Sequence, residues 1–391
     1  MRRLWLALAV GAAAPACSAP APLPDLVSAE RLERDGKTDE ALAAYRAAQV
    51  DCQKVKPARR RREVCASALL GEAQLLEDAG RVDDAITAYA AIPSRTELDP
   101  PPSAQGLYRA GVLSLERGAD RDAWTYLWRT VTDFPDEAFA GDAIALLLKD
   151  GRRRDARALW HQFADLVEPL GDTAVADNLL WALADLAEHE MGDLRAAREL
   201  YDRIPTEHPD SGLRDDARWH GARLSRALGD GAGAAARLRA LLATREVALG
   251  AGSYFSIWLD DAQLELGKVL RDDLGDLDGA IAAFRQLPED YPASILDDDA
   301  AYEIAVTLAA KGDTAAACRQ VARIASRWPD SRYMLELTPA LGARLGCPVA
   351  PPPPAGAATA TTDDADDDAA DDDDAPADAG APADPGAPGP D

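Results

Sequence analysis

The chain has 391 residues, 28% of them charged, and a formal net charge of −26 at pH 7. Twelve aspartates lie from residue 348 onward with no lysine or arginine among them, which leaves −14 on the rest. Such a balance excludes nucleic acid as a partner, because affinity there comes from cations that neutralise phosphates.

The N-terminus reads as an export signal. Arg2 and Arg3 precede an apolar run from Leu4 to Ala14, and Ala14-Pro15-Ala16 leads into Cys17. The run is too short to span a membrane as a helix. Residues 1–16 are therefore predicted to be a signal peptide, and 17–27 a linker.

Between residues 28 and 347 one spacing recurs eight times: a glycine, an alanine five residues later, and a bulky apolar residue nine later. The triplets are Gly36/Ala41/Tyr45, Gly80/Ala85/Tyr89, Gly118/Ala123/Leu127, Gly151/Ala156/Trp160, Gly192/Ala197/Tyr201, Gly229/Ala234/Leu238, Gly275/Ala280/Phe284 and Gly312/Ala317/Val321. The glycines are 33 to 46 residues apart, a solenoid period. Each glycine is read as the turn between two helices, since it takes positive φ without a Cβ clash. The alanine makes room where the helices cross, and the bulky residue four positions on shares its face. Ahead of Gly192, Leu179, Ala182, Leu183 and Leu186 mark one apolar helix face.

Pro135, Pro209, Pro292 and Pro329 each stand 17 residues after a turn glycine, where the second helix should stop. The earlier Pro93, Pro205 and Pro288 are expected to shorten or bend theirs. Around the late prolines the boundary repeats as Phe134-Pro135-Asp136, His208-Pro209-Asp210-Ser211, Tyr291-Pro292-Ala293-Ser294 and Trp328-Pro329-Asp330-Ser331. Its Asp and Ser are expected to cap the next helix. The pairs Asp215/Asp216 and Asp298/Asp299 place negative charge at that helix's positive end.

These residues resemble the tetratricopeptide repeat from about Ser28 to Ala343. The resemblance implies an all-α superhelical solenoid of about eight helix–turn–helix repeats. The tail over 348–391, mostly Pro, Ala, Gly, Thr and Asp, is expected to be disordered. The boundary form is most similar to bacterial envelope members, among them the lipoprotein of the outer-membrane β-barrel assembly machinery and the coordinator of the Tol–Pal system. Repeats 1, 2 and 6 lack the late proline, and repeat 6 is rich in Ala and Gly.

Ala14-Pro15-Ala16-Cys17 resembles a bacterial lipobox, which implies diacylation of Cys17. The same residues also read as an Ala-x-Ala site for ordinary signal peptidase. With Cys17 consumed, Cys52, Cys65, Cys318 and Cys347 remain, an even number. Cys52 and Cys65 fall near the facing ends of two consecutive helices. Cys318 reaches Cys347 only if the chain returns past a last helix. Four buried thiols are the other reading.

No catalytic constellation is legible. The histidines are His161, His189, His208 and His220, and the residue four after His189 is Asp193 rather than a second zinc-ligating His. Nucleophile-elbow, phosphate-loop and dinucleotide motifs are missing from the sequence. An enzyme is not expected, nor a cofactor, a metal or a small-molecule substrate. The tail's Asp runs lack the alternation of a calcium loop. Lys54, Lys56 and Arg59 to Arg62 read as a solvated helix start, or as a contact for anionic lipid or cell-wall polymer.

The resemblance also implies a concave groove lined by the first helix of each pair, at 13, 10, 6 and 3 residues before the turn glycine, which binds extended or helical segments. Those positions include Tyr108 and Val112, then Trp219, Arg223 and Arg226, then Tyr302 and Val306. A one-residue shift in repeat 7 gives Leu264, Lys268 and Arg271. Some of these read equally well as packing between repeats. The basic stretch Arg223, Arg226, Lys268 and Arg271 is expected to receive an acidic or carboxylate-ended segment, from a partner or from the chain's own tail. The expected role is a non-catalytic protein-binding scaffold of the envelope, anchored by lipid to the periplasmic side of the outer membrane. A soluble periplasmic or secreted chaperone or carrier, or an accessory subunit of a cell-wall or transport complex, is the alternative.

Overall fold

The computed structural model describes residues 23–95, 99–244 and 256–348. The signal segment, Cys17 and the acidic tail from 349 lie outside the described residues. The described residues are helical throughout, without strands, and fall into two compact units that divide between Phe134 and Pro135.

The first unit contains α1 (Pro24–Arg34), α2 (Thr38–Asp51), α3 (Ala58–Asp78), α4 (Val82–Ala91), α5 (Pro100–Glu116) and α6 (Asp120–Asp133). Gly36, Gly80 and Gly118 turn the three hairpins at φ 71°. Each helix packs on the next in sequence, so every hairpin buries its apolar stripe against a neighbour. Tyr45, Tyr89 and Leu127, nine residues after their glycines, are buried. Pro93 ends α4 early, in a tight turn over Ile92–Ser94.

The second unit contains α7 (Ala138–Val167), α8 (Ala176–Asp185), α9 (Leu194–Glu207), α10 (Arg214–Ala227), α11 (Gly231–Leu242), α12 (Leu259–Asp272), α13 (Leu277–Asp290), α14 (Asp297–Ala310), α15 (Thr314–Arg327) and α16 (Thr338–Leu345). A π-helical turn over Leu186–Glu190 extends α8 to its glycine, and another over Tyr333–Leu337 precedes α16. Gly192, Gly229, Gly275 and Gly312 turn four hairpins with positive φ. Leu179, Ala182, Leu183 and Leu186 are all buried.

The fourth repeat departs from its expected form. Gly151 is not a turn: it is buried inside α7. The helix breaks instead at Asp155 (φ −159°, ψ 87°), whose Oδ1 accepts from the Ala158 amide at 2.9 Å. A glycine inside a helix costs only about 1 kcal/mol, and a capping aspartate four residues later offsets that. Gly346, at φ 67°, takes the left-handed conformation and ends α16. Of the two outcomes expected at Pro205 and Pro288, shortening does not occur. Both lie inside 14-residue helices that run two residues beyond them, so they do not shorten α9 or α13.

The bulky residue of several hairpins packs against a second glycine, on a first helix. A Cβ on Gly71 would lie 2.4 Å from the Tyr45 ring, one on Gly267 2.3 Å from the Phe284 ring, and one on Gly111 2.8 Å from Leu127. These glycines stand in helix interiors, where the residue is disfavoured unless packing demands it. That mismatch was the available signal for the contact.

Candidate docking face on the first helices

In the second unit the turn aspartates fix how each hairpin begins its second helix. Asp193, Asp230, Asp276 and Asp313 each follow a turn glycine and accept from the amide three residues on, at 2.8–3.0 Å. Each carboxylate satisfies an orphan donor and meets the helix's positive end. The boundary serines accept from amides at the start of the next helix, Ser211 from Leu213 at 2.9 Å and Ser294 from Leu296 at 3.1 Å, and also tie it to the preceding repeat. Ser211 donates to Asp177 Oδ2 at 2.6 Å, and Ser294 donates to Asp260 Oδ2 at 2.7 Å. In the same way Tyr333 donates to Asp299, and Trp258 Nε1 donates to Asp216 Oδ1 at 2.6 Å. The acidic pair at each helix start is therefore the acceptor for the next boundary.

Anchored in this way, the first helices exchange ion pairs. Arg152 pairs with Asp185, and His220 Nδ1 lies 3.5 Å from Glu188 Oε2. Arg226 meets Glu265 at 2.6 Å, Asp273 at 2.8 Å and Asp272 at 3.1 Å. Arg271 pairs with Glu303 and with Asp272, and Lys268 lies 3.9 Å from Glu265. Two of the four cations of the expected basic stretch, Arg226 and Arg271, are thus engaged by carboxylates of a neighbouring helix, and Lys268 lies near Glu265 of its own. Burial opposes ionisation of Glu188, but His220 holds its carboxyl below the usual range, with smaller help from His189 and from Arg223, which is exposed on α10.

The other groove candidates divide between packing and face. Leu264 is a core residue at 5% exposure, packed with Phe284 and Leu238. Trp219 is half-buried and stacks on Trp258, with centroids 5.1 Å apart and rings 12° from parallel. Tyr302 is half-buried against Tyr333 at 4.8 Å and, with Val306, packs on the Ala301, Ala305 and Ile324 cluster. Trp181 meets Tyr201 and His220 edge-on at 5.0 and 5.2 Å. In the first unit, Tyr108 and Val112 are half-buried on α5.

Outside this face, Cys52 and Cys65 are joined in a disulfide, as are Cys318 and Cys347. The basic cluster is largely paired: Lys54 with Asp51, Arg59 and Arg60 with Glu63, Arg62 with Asp99. His189 sits 3.1 Å from the Asp185 carbonyl and 3.4 Å from its carboxylate, whose hydrogen bond to the imidazolium raises the His189 pKa to about 9. Among the described residues no group of His, Cys, Asp and Glu is disposed to hold a metal ion. No described helix is long and apolar enough to cross a membrane.

Two tetratricopeptide-repeat models match the chain, one over residues 26–101 and the other over residues 179–211 and 261–294. A search of curated proteins returned no match. Among solved structures, the YrrB protein, titled a TPR protein with an unusual peptide-binding site, aligns at 15% identity and a TM-score of 0.39, covering 54% of this chain and 95% of its own. The C-terminal part of a TPR protein from Cytophaga hutchinsonii aligns at 13% identity and 0.42, covering 70% and 98%. A tetratricopeptide protein from Parabacteroides merdae aligns at 13% and 0.31, covering 73% and 97%. With all three scores below 0.5, the repeat assignment rests on the family models and the hairpin geometry.

Proposed function

From a chain that carries tetratricopeptide repeats, we propose a non-catalytic scaffold of the bacterial envelope that holds a partner segment along the first helices of its second unit. The observation that carries this reading is the set of half-buried aromatics Trp181, Trp219 and Tyr302 on the first helices α8, α10 and α14. Aromatics that keep one edge open are the usual anchors of a protein interface. The export-type N-terminus and two disulfides support an oxidising compartment. The residues before Cys17 support a lipid anchor, with two acyl chains giving stable membrane attachment.

Two measurements test the proposal. A photo-crosslinking residue at Val306, on a first helix, should capture the partner in intact cells, and the same residue at the exposed Arg285, on a second helix, should not. Equal capture from both positions removes the face assignment. Wild type should fractionate with membranes and Cys17→Ser should not. A wild-type protein recovered soluble, with an unmodified N-terminus, favours the periplasmic carrier or chaperone instead.

A further inference from the structure

Along the second unit a row of carboxylates runs one turn ahead of the aromatics. Asp216 and Asp299 each stand 13 residues before a turn glycine, and Asp261 holds the same place once the one-residue shift of its helix is allowed. Burial pushes all three carboxyls above the usual range. Asp216 and Asp299 each accept a hydrogen bond from the residue that opens the next boundary, Trp258 and Tyr333 respectively. The residue in that place after Asp261 is Leu296, two positions past Ser294, and leucine has no donor to give.

Asp261 is therefore the member of the row to whose side chain nothing donates among the described residues. Its neighbours are mostly of its own sign. After burial, Asp260 pushes its carboxyl up, Lys268, itself 3.9 Å from Glu265, pulls it down, and Asp299 and Glu265 add smaller upward pushes. On one side of it in the row is the Trp219–Trp258 stack, and on the other the Tyr302–Tyr333 pair. A half-buried carboxylate with aromatic pairs on the repeats to either side suits an ammonium or guanidinium, which ion-pairs with the one and stacks on the others. Arg226 and Arg271 are already paired with Glu265 and Glu303, and an acidic segment would meet Asp260, Asp261 and Asp298.

We propose that the first-helix face of α10, α12 and α14 receives a lysine- or arginine-bearing extended segment, with one cation seated on Asp261 between the two aromatic pairs. This rests on the reading of that face as the docking surface, and it reverses the partner charge expected from sequence.

The test uses the full chain as wild type, Asp261→Asn, and Asp372→Asn, which removes one equal charge from the tail. The probe is a nine-residue peptide alternating lysine and alanine with a photo-crosslinker at its centre, beside its glutamate and glutamine counterparts. Calorimetry reads affinity, and mass spectrometry maps the crosslinks. Crosslinks from the lysine peptide should fall on residues 214–227 and 259–310. Its affinity should drop about tenfold in Asp261→Asn, the loss of one charge-assisted contact, and stay unchanged in Asp372→Asn. The melting temperature of Asp261→Asn should hold or rise, because the substitution relieves repulsion from three carboxylates. Unchanged affinity in Asp261→Asn overturns the proposal. Glutamate peptide seated on this face overturns the cation assignment and leaves the docking face standing. Crosslinks from no peptide to this face overturn both.

Discussion

Lys37, Arg81 and Ala119 follow the turn glycines of the first unit, and none of their side chains caps the helix it introduces. Beyond Pro135 the same place is held by Asp193, Asp230, Asp276 and Asp313, and all four cap. The first unit uses a different tie. Tyr45 donates to Glu33 at 2.5 Å and Tyr89 to Glu77 at 2.9 Å, joining the second helix of a hairpin to the end of its first. Glu77 also takes Arg109 from the next hairpin, so one carboxylate holds three helices. In the second unit the equivalent tyrosine, Tyr201, is fully buried and Glu188 lies near it, yet among the described residues no group meets its hydroxyl with hydrogen-bond geometry. Equal glycine spacing thus admits two ways of fixing a hairpin, by its tyrosine or by its turn.

The largest expected effect probes the tyrosine tie. Tyr89→Phe should destabilise the first unit by about 1–2 kcal/mol, since it removes a hydrogen bond to a charged acceptor from a buried site. Tyr201→Phe should be neutral or slightly stabilising, because it deletes a buried hydroxyl that no described group meets with hydrogen-bond geometry. Amide hydrogen exchange in α4 and α9, read against wild type, checks both. Equal losses at the two sites would erase the contrast between the units.

A smaller effect concerns the turn. Asp276→Ala should cost about 1 kcal/mol, the usual worth of an N-cap, with exchange quickening at the start of α13. Ala119→Ser supplies a hydroxyl where the first unit has none and should stabilise α6 by about 0.5 kcal/mol. Chemical denaturation of each variant gives the values. If Ala119→Ser is silent, the backbone at that turn does not present its amides to a cap, and the units differ in geometry as well as in side chains.

Seven of the eight turn glycines were legible because the αL conformation, the crossing alanine and the buried bulky residue all act within one hairpin. Gly151 misled, since its spacing is correct and the choice between Gly151 and Asp155 as the break is a matter of about 1 kcal/mol. The candidate face was less legible. Helix periodicity places Arg226 and Arg271 on the first-helix face, but their neutralisation depends on Glu265 and Glu303, which lie 39 and 32 residues away. Adding one repeat to a polar residue would have found some contacts, since Asp177 and Ser211, Asp260 and Ser294, and Asp299 and Tyr333 are all 34 apart. Asp261 shows as exceptional only once its equivalents are seen to be bonded.

The smallest expected effect separates the units by pH. All four histidines lie beyond Pro135, so histidine titration loads only the second unit. His189 is held protonated by Asp185, with its pKa raised to about 9 from an ordinary 6.5. The folded protein therefore keeps this proton longer than the unfolded chain does. The resulting stabilisation is complete below about pH 6.5 and is lost as pH rises through about 9. His189 is more than a third exposed, so solvent screening should keep the effect under about 1 kcal/mol. Exchange protection over the π-helical turn at Leu186–Glu190 should decline across that window in wild type, and the decline should flatten in His189→Gln. The first unit should show no histidine-dependent change. An NMR titration that returns an ordinary midpoint for the His189 ring would mean that Asp185 does not hold the imidazolium, and the pH contrast between the units would fall with it.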